Sequence, residues 1–334
     1  MWRRTGSGIV KQCVILDDYQ DVALACADWS ALRDQVAIRT LNAHIDDEAA
    51  LAAALRSADI VVAMRERTPF PATLFAALPR LRLLVTSGMR NAAIDLGAAR
   101  AHGVTVCGTA SSLTPPVELT WALILGLARQ IVPENRALRE GGPWQGGLGR
   151  DLAEHRLGLL GVGRIGSAVA QVARAFGMRV SGWSPNLTPE RAAAAGVALA
   201  RSREALFAES DIVSIHLVLA PGTRHLVGAA ELARMKPDAF LINTSRAAIV
   251  DEAALIAALE QGRLAGAGLD VFAREPLPTD HPYRRLPNVL ATPHLGYVTR
   301  DNYRTYFTET VEDIRAWLAG APVRQLTPVP PSRP

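Results

Sequence analysis

The stretch that decides the fold is Leu157-Gly158-Leu159-Leu160-Gly161-Val162-Gly163-Arg164-Ile165-Gly166. Its apolar start predicts a buried strand, and the residues from Arg164 to Phe176 predict a helix. In such a turn, the first glycine permits the tight bend, the second lets the backbone approach a pyrophosphate, and the third lets the helix pack closely on the strand. The free N–H groups at the start of the helix then hold the anion. The strand-to-helix context therefore predicts a dinucleotide site that includes Arg164 and Ile165, whereas the glycine spacing alone is also compatible with a turn that binds nothing.

Short apolar runs alternate with helical stretches on both sides of this turn. Strands are predicted at 14–16, 60–64, 83–86 and 104–107, and again at 157–160, 178–183, 211–217, 239–243, 264–271 and 289–292. Helices are predicted at 48–57, 117–128, 164–176, 251–261 and 300–318. The almost uniformly apolar 117–128 helix should be buried on nearly every face. The alternation predicts the α/β class, with Rossmann-like, doubly wound parallel sheets.

The composition of the chain limits the class of protein to which it can belong. The chain has 334 residues, of which 49% are hydrophobic and 20% charged, and this suits two compact domains. Its apolar runs are far shorter than the roughly 20 residues that cross a bilayer. Three cysteines without metal-ligand spacing predict a reducing compartment, so we expect a cytoplasmic protein without a metal site. A net charge of +4 with scattered basic residues argues against nucleic acid as a partner. The proline-rich tail, 327–334, is predicted to be disordered.

The end of the second strand after the glycine turn bears on the choice of cofactor. An acidic residue at this place normally bonds the ribose hydroxyls of NAD. Here the sequence reads Trp183-Ser184-Pro185-Asn186, and no Asp or Glu occurs between Gly166 and Pro189. Ser184, Asn186 and Arg191 are instead suited to a 2′-phosphate. This favours NADP, with NAD left open.

Six motifs follow one another in the second half of the chain. They are Asp211-Ile212-Val213-Ser214-Ile215-His216, Met235-Lys236-Pro237, Ile242-Asn243-Thr244-Ser245-Arg246, Gly268-Leu269-Asp270-Val271-Phe272, Glu275-Pro276-Leu277-Pro278 and Thr292-Pro293-His294-Leu295-Gly296. In order and spacing they closely resemble the D-isomer-specific 2-hydroxyacid dehydrogenase family. The resemblance covers most of the chain and is densest from Leu157 to Tyr297.

The resemblance implies a discontinuous organisation and an oxidoreductase. A substrate-binding domain would comprise 1–110 and 297–334, a dinucleotide-binding domain would comprise 111–296, and the active site would lie in the cleft between them. The reaction would move a hydride between NAD(P)H and a small 2-oxo or D-2-hydroxy acid. The family dimerises through its cofactor domain, so we expect a homodimer.

The same resemblance assigns roles to individual residues. Arg246 would clamp the substrate carboxylate and polarise the carbonyl, His294 would donate the proton, and Glu275 would hydrogen-bond His294. Hydride delivery leaves negative charge on the carbonyl oxygen, so such a site needs both a proton donor and a cation. Thr244 and Asp270 would contact the cofactor, Asp270 on its nicotinamide side.

The loop Ser87-Gly88-Met89-Arg90 resembles the segment whose backbone amides hold the substrate carboxylate. Arg90 replaces a glycine that is usual there, and it either adds a second anion contact or points to solvent. The resemblance makes the reduction of glyoxylate or hydroxypyruvate the default activity, although the sequence itself does not select a substrate. Two alternatives stay open: a phosphoglycerate dehydrogenase, and a dinucleotide-sensing, corepressor-like binding protein without turnover.

Overall fold

A computed structural model describes residues 10–326, which form two compact units. The first contains the described residues up to Ser112 together with those from Thr299 onward, and the second contains Leu113–Val298. The tail predicted to be disordered, 327–334, lies outside the described residues.

The described strands and helices are numbered in chain order. The strands are β1 (Lys11–Ile15), β2 (Val36–Thr40), β3 (Ile60–Ala63), β4 (Leu83–Thr86), β5 (Thr105–Gly108), β6 (Arg156–Leu160), β7 (Arg179–Trp183), β8 (Ala198–Leu199), β9 (Ile212–Ile215), β10 (Phe240–Asn243), β11 (Gly266–Leu269) and β12 (Val289–Ala291). The α-helices are α1 (Glu48–Leu55), α2 (Ala72–Ala77), α3 (Leu96–Ala101), α4 (Thr114–Ala128), α5 (Ile131–Arg139), α6 (Arg164–Ala175), α7 (Pro189–Ala194), α8 (Arg203–Glu209), α9 (Ala229–Leu232), α10 (Glu252–Glu260) and α11 (Arg300–Leu318).

The first unit is built on a parallel sheet whose strands within residues 10–326 run in the order β2-β1-β3-β4-β5. Strands β3 and β4 are buried at every residue, which explains why they are continuous apolar runs without alternation. The strand order reverses between β1 and β3. In open parallel sheets, ligands bind outside the carboxyl ends of the strands at such a point.

The second unit contains a larger parallel sheet, described in the order β12-β11-β10-β9-β6-β7-β8. Starting from β6, the arrangement is that of a Rossmann fold, and its order reverses between β6 and β9. Because successive residues of a strand point to opposite faces, β6 contributes to two cores. Leu157 and Leu159 pack with residues of α4 and α6, whereas Leu160 packs with residues of α8 and α10. Helices therefore cover both faces of the sheet, and the predicted doubly wound α/β class is confirmed.

Helix boundaries follow from capping and from proline chemistry. Helix α11 has the predicted bounds, and Asp251 caps α10 by accepting from the amide of Ala254. Helix α4 begins at Thr114, earlier than predicted, because prolines are tolerated in a first turn, where no N–H is needed. The prediction that this helix is buried on nearly every face needs a correction, since Glu118 and Ala122 are exposed.

The segment after α11 returns to the sheet of the first unit. Gln325 forms an antiparallel bridge with Cys107, and the amide of Leu326 donates to the carbonyl of Val106 at 2.8 Å. Arg324 anchors the segment, because its Nε donates at 3.0 Å to Oδ1 of Asp313, a fully buried residue of α11. Burial raises the pKa of Asp313 to about 7, even though Arg324 acts in the opposite direction. The segment 324–326 therefore covers the outer edge of β5.

The cysteines Cys13, Cys26 and Cys107 are free. Of the helices in residues 10–326, none has both the length and the apolar character needed to span a bilayer. Within the same range, no group of three or more His, Cys, Asp or Glu side chains is arranged to hold a metal ion.

Candidate active site

The glycine turn after β6 has one open position and two closed ones. A Cβ built on Gly161, whose φ is +107°, lies 2.7 Å from the carbonyl of His216, and one built on Gly166 lies 2.2 Å from the oxygen of Gly161. A Cβ on Gly163 meets nothing within 4 Å. Gly163 is also the exposed N-cap of α6, a helix of 12 residues. The turn therefore fits a pyrophosphate, which needs free space directly above a helix N-terminus.

The neighbours of the turn support this fit. Arg164 is exposed and Ile165 half-buried at the start of α6. His216 follows β9, the strand across the reversal point, and its Nε2 lies 2.8 Å from the hydroxyl of Ser214. Burial lowers the pKa of His216 to about 4, so the imidazole beside the turn is neutral at physiological pH.

The residues after β7 form a small polar loop. The carbonyl of Ser184 accepts from the amide of Leu187 at 3.1 Å, and the carbonyl of Asn186 accepts from Nη1 of Arg191 at 2.9 Å. Ser184 is half-buried, whereas Asn186 and Arg191 are exposed. Arg191, on α7, thus holds its guanidinium next to the loop in which the sequence lacks an acidic residue.

His294 and Glu275 form a close pair. Nδ1 of His294 lies 2.6 Å from Oε2 of Glu275, and the two side chains are 22% and 28% exposed. The other carboxylate oxygen, Oε1, accepts from the amide of Phe272 at 2.9 Å. Glu275 therefore closes its own loop with one oxygen and orients the imidazole with the other. This arrangement leaves Nε2 as the ring nitrogen that can act on a bound molecule.

Asp270 holds the segment that carries His294. Its Oδ1 accepts from the hydroxyl of Thr292 and from the amide of Leu295, both at 2.7 Å, and its Oδ2 accepts from the amide of Gly296 at 2.9 Å. The side chain is fully buried, and this burial raises its pKa. His294 itself has a φ of +54°, a left-handed conformation that these hydrogen bonds help to keep. Because Asp270 bonds within the protein through both oxygens, its predicted contact with the nicotinamide stays a prediction.

Arg246 and Thr244 follow β10. Nδ2 of Asn243 donates to the carbonyl of Arg246 at 3.1 Å, and Nη1 of Arg246 donates to the carbonyl of Ser245 at 2.8 Å. The hydroxyl of Thr244 lies 2.8 Å from that of Thr120, on α4. The neighbouring strands β10, β11 and β12 are thus followed by Arg246, Glu275 and His294 in turn, all at the carboxyl edge of one parallel sheet.

The predicted substrate loop lies after β4 in the first unit. The amide of Ser87 donates to the carbonyl of Ala63, and that of Gly88 donates to the hydroxyl of Thr109 at 3.0 Å. These two amides are therefore already used. Within residues 10–326, the amides of Met89 and Arg90 make no hydrogen bond, and both residues are exposed. An anion at this loop would bind to those two.

Arg65 contacts the substrate loop, although the sequence analysis did not identify it as a candidate site residue. Its Nη1 donates to the carbonyl of Ser87 at 3.2 Å, and a Cβ built on Gly88 would lie 2.1 Å from the same nitrogen. Its carbonyl accepts from Nδ2 of Asn91, and its φ is +54°. The available signal was a charged residue placed shortly after the wholly apolar strand β3.

Comparisons with known proteins give a consistent result. Residues 121–296, more than half of the chain, match the family described as "D-isomer specific 2-hydroxyacid dehydrogenase, NAD binding domain". The chain is 41% identical over 256 residues to a glyoxylate reductase of Aeropyrum pernix, an alignment that covers 74% of this chain and 76% of the relative. It is 37% identical over 300 residues to a D-3-phosphoglycerate dehydrogenase of Mycobacterium tuberculosis, which covers 89% of this chain but 56% of the relative.

Among solved structures, a phosphoglycerate oxidoreductase from Vibrio cholerae O395 superposes with a TM-score of 0.88 at 35% identity, and covers 93% of this chain and 100% of that one. The chain thus spans just over half the length of the mycobacterial relative and the whole length of the Vibrio structure. The matched NAD-binding domain makes NAD or NADP the cofactor. The chain that carries this glycine turn, the histidine–glutamate pair and Arg246 therefore belongs to the D-isomer-specific 2-hydroxyacid dehydrogenase family.

Proposed function

We propose that the chain reduces a small 2-oxo acid to a D-2-hydroxy acid with NAD(P)H, and that glyoxylate and hydroxypyruvate are its first candidate substrates. The observation that supports this proposal is the contact of 2.6 Å between Nδ1 of His294 and Oε2 of Glu275. Both residues follow strands of the sheet at the edge where Arg246 follows β10. A bound nicotinamide would supply the hydride. The chain itself must bind and orient the acid and provide a proton.

The balance of the reaction assigns one task to each side chain. Once a hydride has been added to C2, the carbonyl oxygen would carry the displaced π electron pair, and Nε2 of His294 would give it a proton. Glu275 keeps the Nδ1 side of the imidazole fixed, so that Nε2 faces the substrate oxygen. Arg246 holds the substrate carboxylate and stabilises the charge that develops on the neighbouring oxygen. In the reverse direction, His294 accepts the proton.

The loop 87–90 is a further proposed carboxylate-binding segment, with the amides of Met89 and Arg90 as its donors. Asp270 acts as a positioning residue that keeps the His294 segment in place. The cofactor pyrophosphate would lie over Gly163, and Thr244 would contact the cofactor farther along.

For the cofactor, we favour NADPH over NADH. A 2′-phosphate would be received by Ser184, Asn186 and the guanidinium of Arg191, and no carboxylate in that loop would repel it. Fluorescence titration with the two reduced cofactors tests this. Arg191→Ala should weaken NADPH binding roughly tenfold, the effect of one lost charged contact, and leave NADH unchanged. Arg304→Ala, at an exposed arginine of the first unit, is the control. Equal losses for both cofactors would refute the NADPH assignment.

A phosphorylated 2-hydroxy acid is a second candidate substrate, and a specific observation favours it. Arg65 donates to the carbonyl of Ser87 in the substrate loop, and Arg90 belongs to that loop, so a second anionic group bound there would lie in a region of positive charge. Arg90→Ala should then lower kcat/KM for 3-phosphoglycerate much more than for glyoxylate reduction. Equal effects on the two substrates would mean that Arg90 faces solvent.

The decisive experiment mixes the purified chain with NADH or NADPH and a panel of 2-oxo acids, and follows the absorbance of the reduced nicotinamide. Consumption of cofactor with one acid identifies substrate and cofactor together. Tight cofactor binding without turnover of any acid would instead favour the hypothesis that the chain is a dinucleotide-sensing, corepressor-like binding protein. A cytoplasmic location stays a prediction.

We also propose a homodimer that forms through the second unit. Helix α5 has no buried residue, and large apolar side chains are exposed on it and on the glycine-rich segment that follows. These are Ile131 (53%), Val132 (53%), Leu138 (61%), Trp144 (81%) and Leu148 (94%). Several large apolar side chains exposed within one segment, 131–148, support an interaction site there.

A further inference from the structure

Tyr297 packs against the ring of His294. The two ring centroids are 5.3 Å apart, with an angle of 73° between the ring planes, which is the edge-to-face geometry that aromatic rings prefer. The tyrosine is 7% exposed, so this contact is shielded from water. The histidine ring therefore has two neighbours of different kinds, a carboxylate at Nδ1 and an aromatic ring.

The second neighbour supplies a constraint that the first cannot. The imidazole is held covalently at Cγ and by one hydrogen bond from Nδ1 to Glu275, but the ring can still tilt about the line through these two atoms. Nε2 is the ring atom farthest from that line, so a tilt moves it by the largest distance. Because proton transfer requires Nε2 within hydrogen-bond reach of the substrate oxygen, a small displacement there is costly.

The backbone holds Tyr297 in a defined place. The amides of Leu295 and Gly296 donate to Asp270, and the amide of Val298 donates to the carbonyl of Leu295 at 2.9 Å. Gly296 is closely packed, since a Cβ built on it would lie 3.1 Å from Oδ2 of Asp270. The tyrosine is thus attached to the same hydrogen-bonded segment as the histidine that it contacts. Its ring can serve as a rigid stop.

We propose that Tyr297 is a positioning residue, whose ring sets the tilt of the His294 imidazole and hence the position of Nε2 for proton transfer. The inference rests on the proposed function, since it assumes that His294 is the proton donor. It goes beyond that function by naming a residue for which neither the motifs nor the family resemblance had assigned a role.

The kinetic test compares Tyr297→Leu with Tyr297→Phe. The leucine variant should lower kcat roughly tenfold, the order expected when one edge-to-face contact is lost, with little change in KM or in the cofactor Kd. It should also change the pH profile of kcat/KM, because the imidazole no longer keeps one geometry with Glu275. The phenylalanine variant retains the ring and should keep kcat within about twofold of wild type.

A second measurement does not depend on turnover. In ¹⁵N-labelled protein, the His294 ring signals, assigned by their loss in His294→Ala, should shift or broaden in Tyr297→Leu and stay near the wild-type positions in Tyr297→Phe. Tyr303→Leu removes another buried tyrosine, 4% exposed, from the first unit. This control should lower Tm but leave the His294 signals unchanged.

The outcomes separate this inference from the proposed function. If no 2-oxo acid is turned over but the His294 signals respond as described, the proposed function fails and the positioning contact stands. If Tyr297→Leu has wild-type kcat and wild-type His294 signals, the positioning role is overturned. It is also overturned if Tyr297→Phe loses as much activity as the leucine variant, or if the leucine variant loses cofactor binding and Tm together with turnover.

Discussion

The two glycines at either end of the turn segment 163–166 should respond to the same substitution in opposite ways. In Gly163→Ala, the new methyl group meets no protein atom within 4 Å, and the φ of −97° is one that alanine adopts readily. The free energy of unfolding should therefore stay the same or rise by about 0.4–1 kcal/mol, because alanine reduces the entropy of the unfolded chain. The same methyl group occupies the space that we assign to the pyrophosphate.

In Gly166→Ala, the methyl group would lie 2.2 Å from the carbonyl oxygen of Gly161. The carbonyl belongs to the backbone, and the backbone also fixes the position of Cβ, so no side-chain rotation can relieve the contact. Alanine in place of a helical glycine normally stabilises by about 1 kcal/mol, but overpacking of this kind costs about 1–3 kcal/mol. We therefore expect a net loss of stability, together with weaker cofactor binding because the turn must shift.

Two measurements on each variant check this reasoning. Thermal unfolding without cofactor reports stability, and quenching of protein fluorescence by NADH and NADPH reports Kd. Gly163→Ala should raise Kd for both cofactors at least ~10-fold, or about 1.4 kcal/mol, at an unchanged or higher Tm. Gly222→Ala is the matched control, since its Cβ also meets nothing within 4 Å. Wild-type Kd values in Gly163→Ala would show that no diphosphate lies over this turn.

Three further perturbations test other parts of the molecule. His294→Ala should lower turnover at least ~100-fold, the usual contribution of a positioned general acid, while cofactor binding persists; unchanged turnover would remove His294 from this role. Asp313 has a folded-state pKa of about 7, above its ordinary value, so the folded chain loses stability as pH rises from about 4 to about 7, where the unfolded chain ionises first. In Asp313→Asn this pH-dependent loss should disappear. The Tm of the variant minus the Tm of wild type should therefore rise as pH goes from about 4 to about 7, and a constant difference would contradict the raised pKa of Asp313. Leu148→Asp introduces a charge at a position that is 94% exposed within one chain. Light scattering should show a shift from dimer to monomer, and the monomeric variant should still unfold cooperatively because the position is not buried in the fold. A variant that stays dimeric would place the interface elsewhere.

Local patterns sufficed for those parts of the fold that a single stretch encodes. The glycine turn, the cap at Asp251 and the full extent of α11 each depend on a few neighbouring residues, and the structure has them as predicted. Strand β2 was missed because its residues, Val36–Thr40, are not a continuous apolar run, since Arg39 is exposed and only Val36 is buried. The short edge strand β8 was missed because Ala198 and Leu199 have no pattern of their own and pair only through the fold.

For the candidate site, the sequence supplied the residue types but not their contacts. The motif order identified Glu275 and His294, and the structure adds the 2.6 Å contact between them. Two contributions depend on three-dimensional packing that no spacing reveals. Arg65, which follows β3 and lies 22 residues before Ser87 in the chain, contacts the substrate loop, and Asp270 uses both oxygens to hold the histidine segment.

The short segment that returns along β5 has a consequence for self-association. A strand at the margin of a sheet exposes unpaired amides and carbonyls, to which another molecule can add its own strand. In the first unit, the bridge between Cys107 and Gln325 and the bonds of Arg324 and Leu326 use those groups internally. The guanidinium of Arg324 fastens this cover to α11 through Asp313, Glu312 and Glu309, and these contacts keep the margin of the sheet from accepting a strand of another molecule.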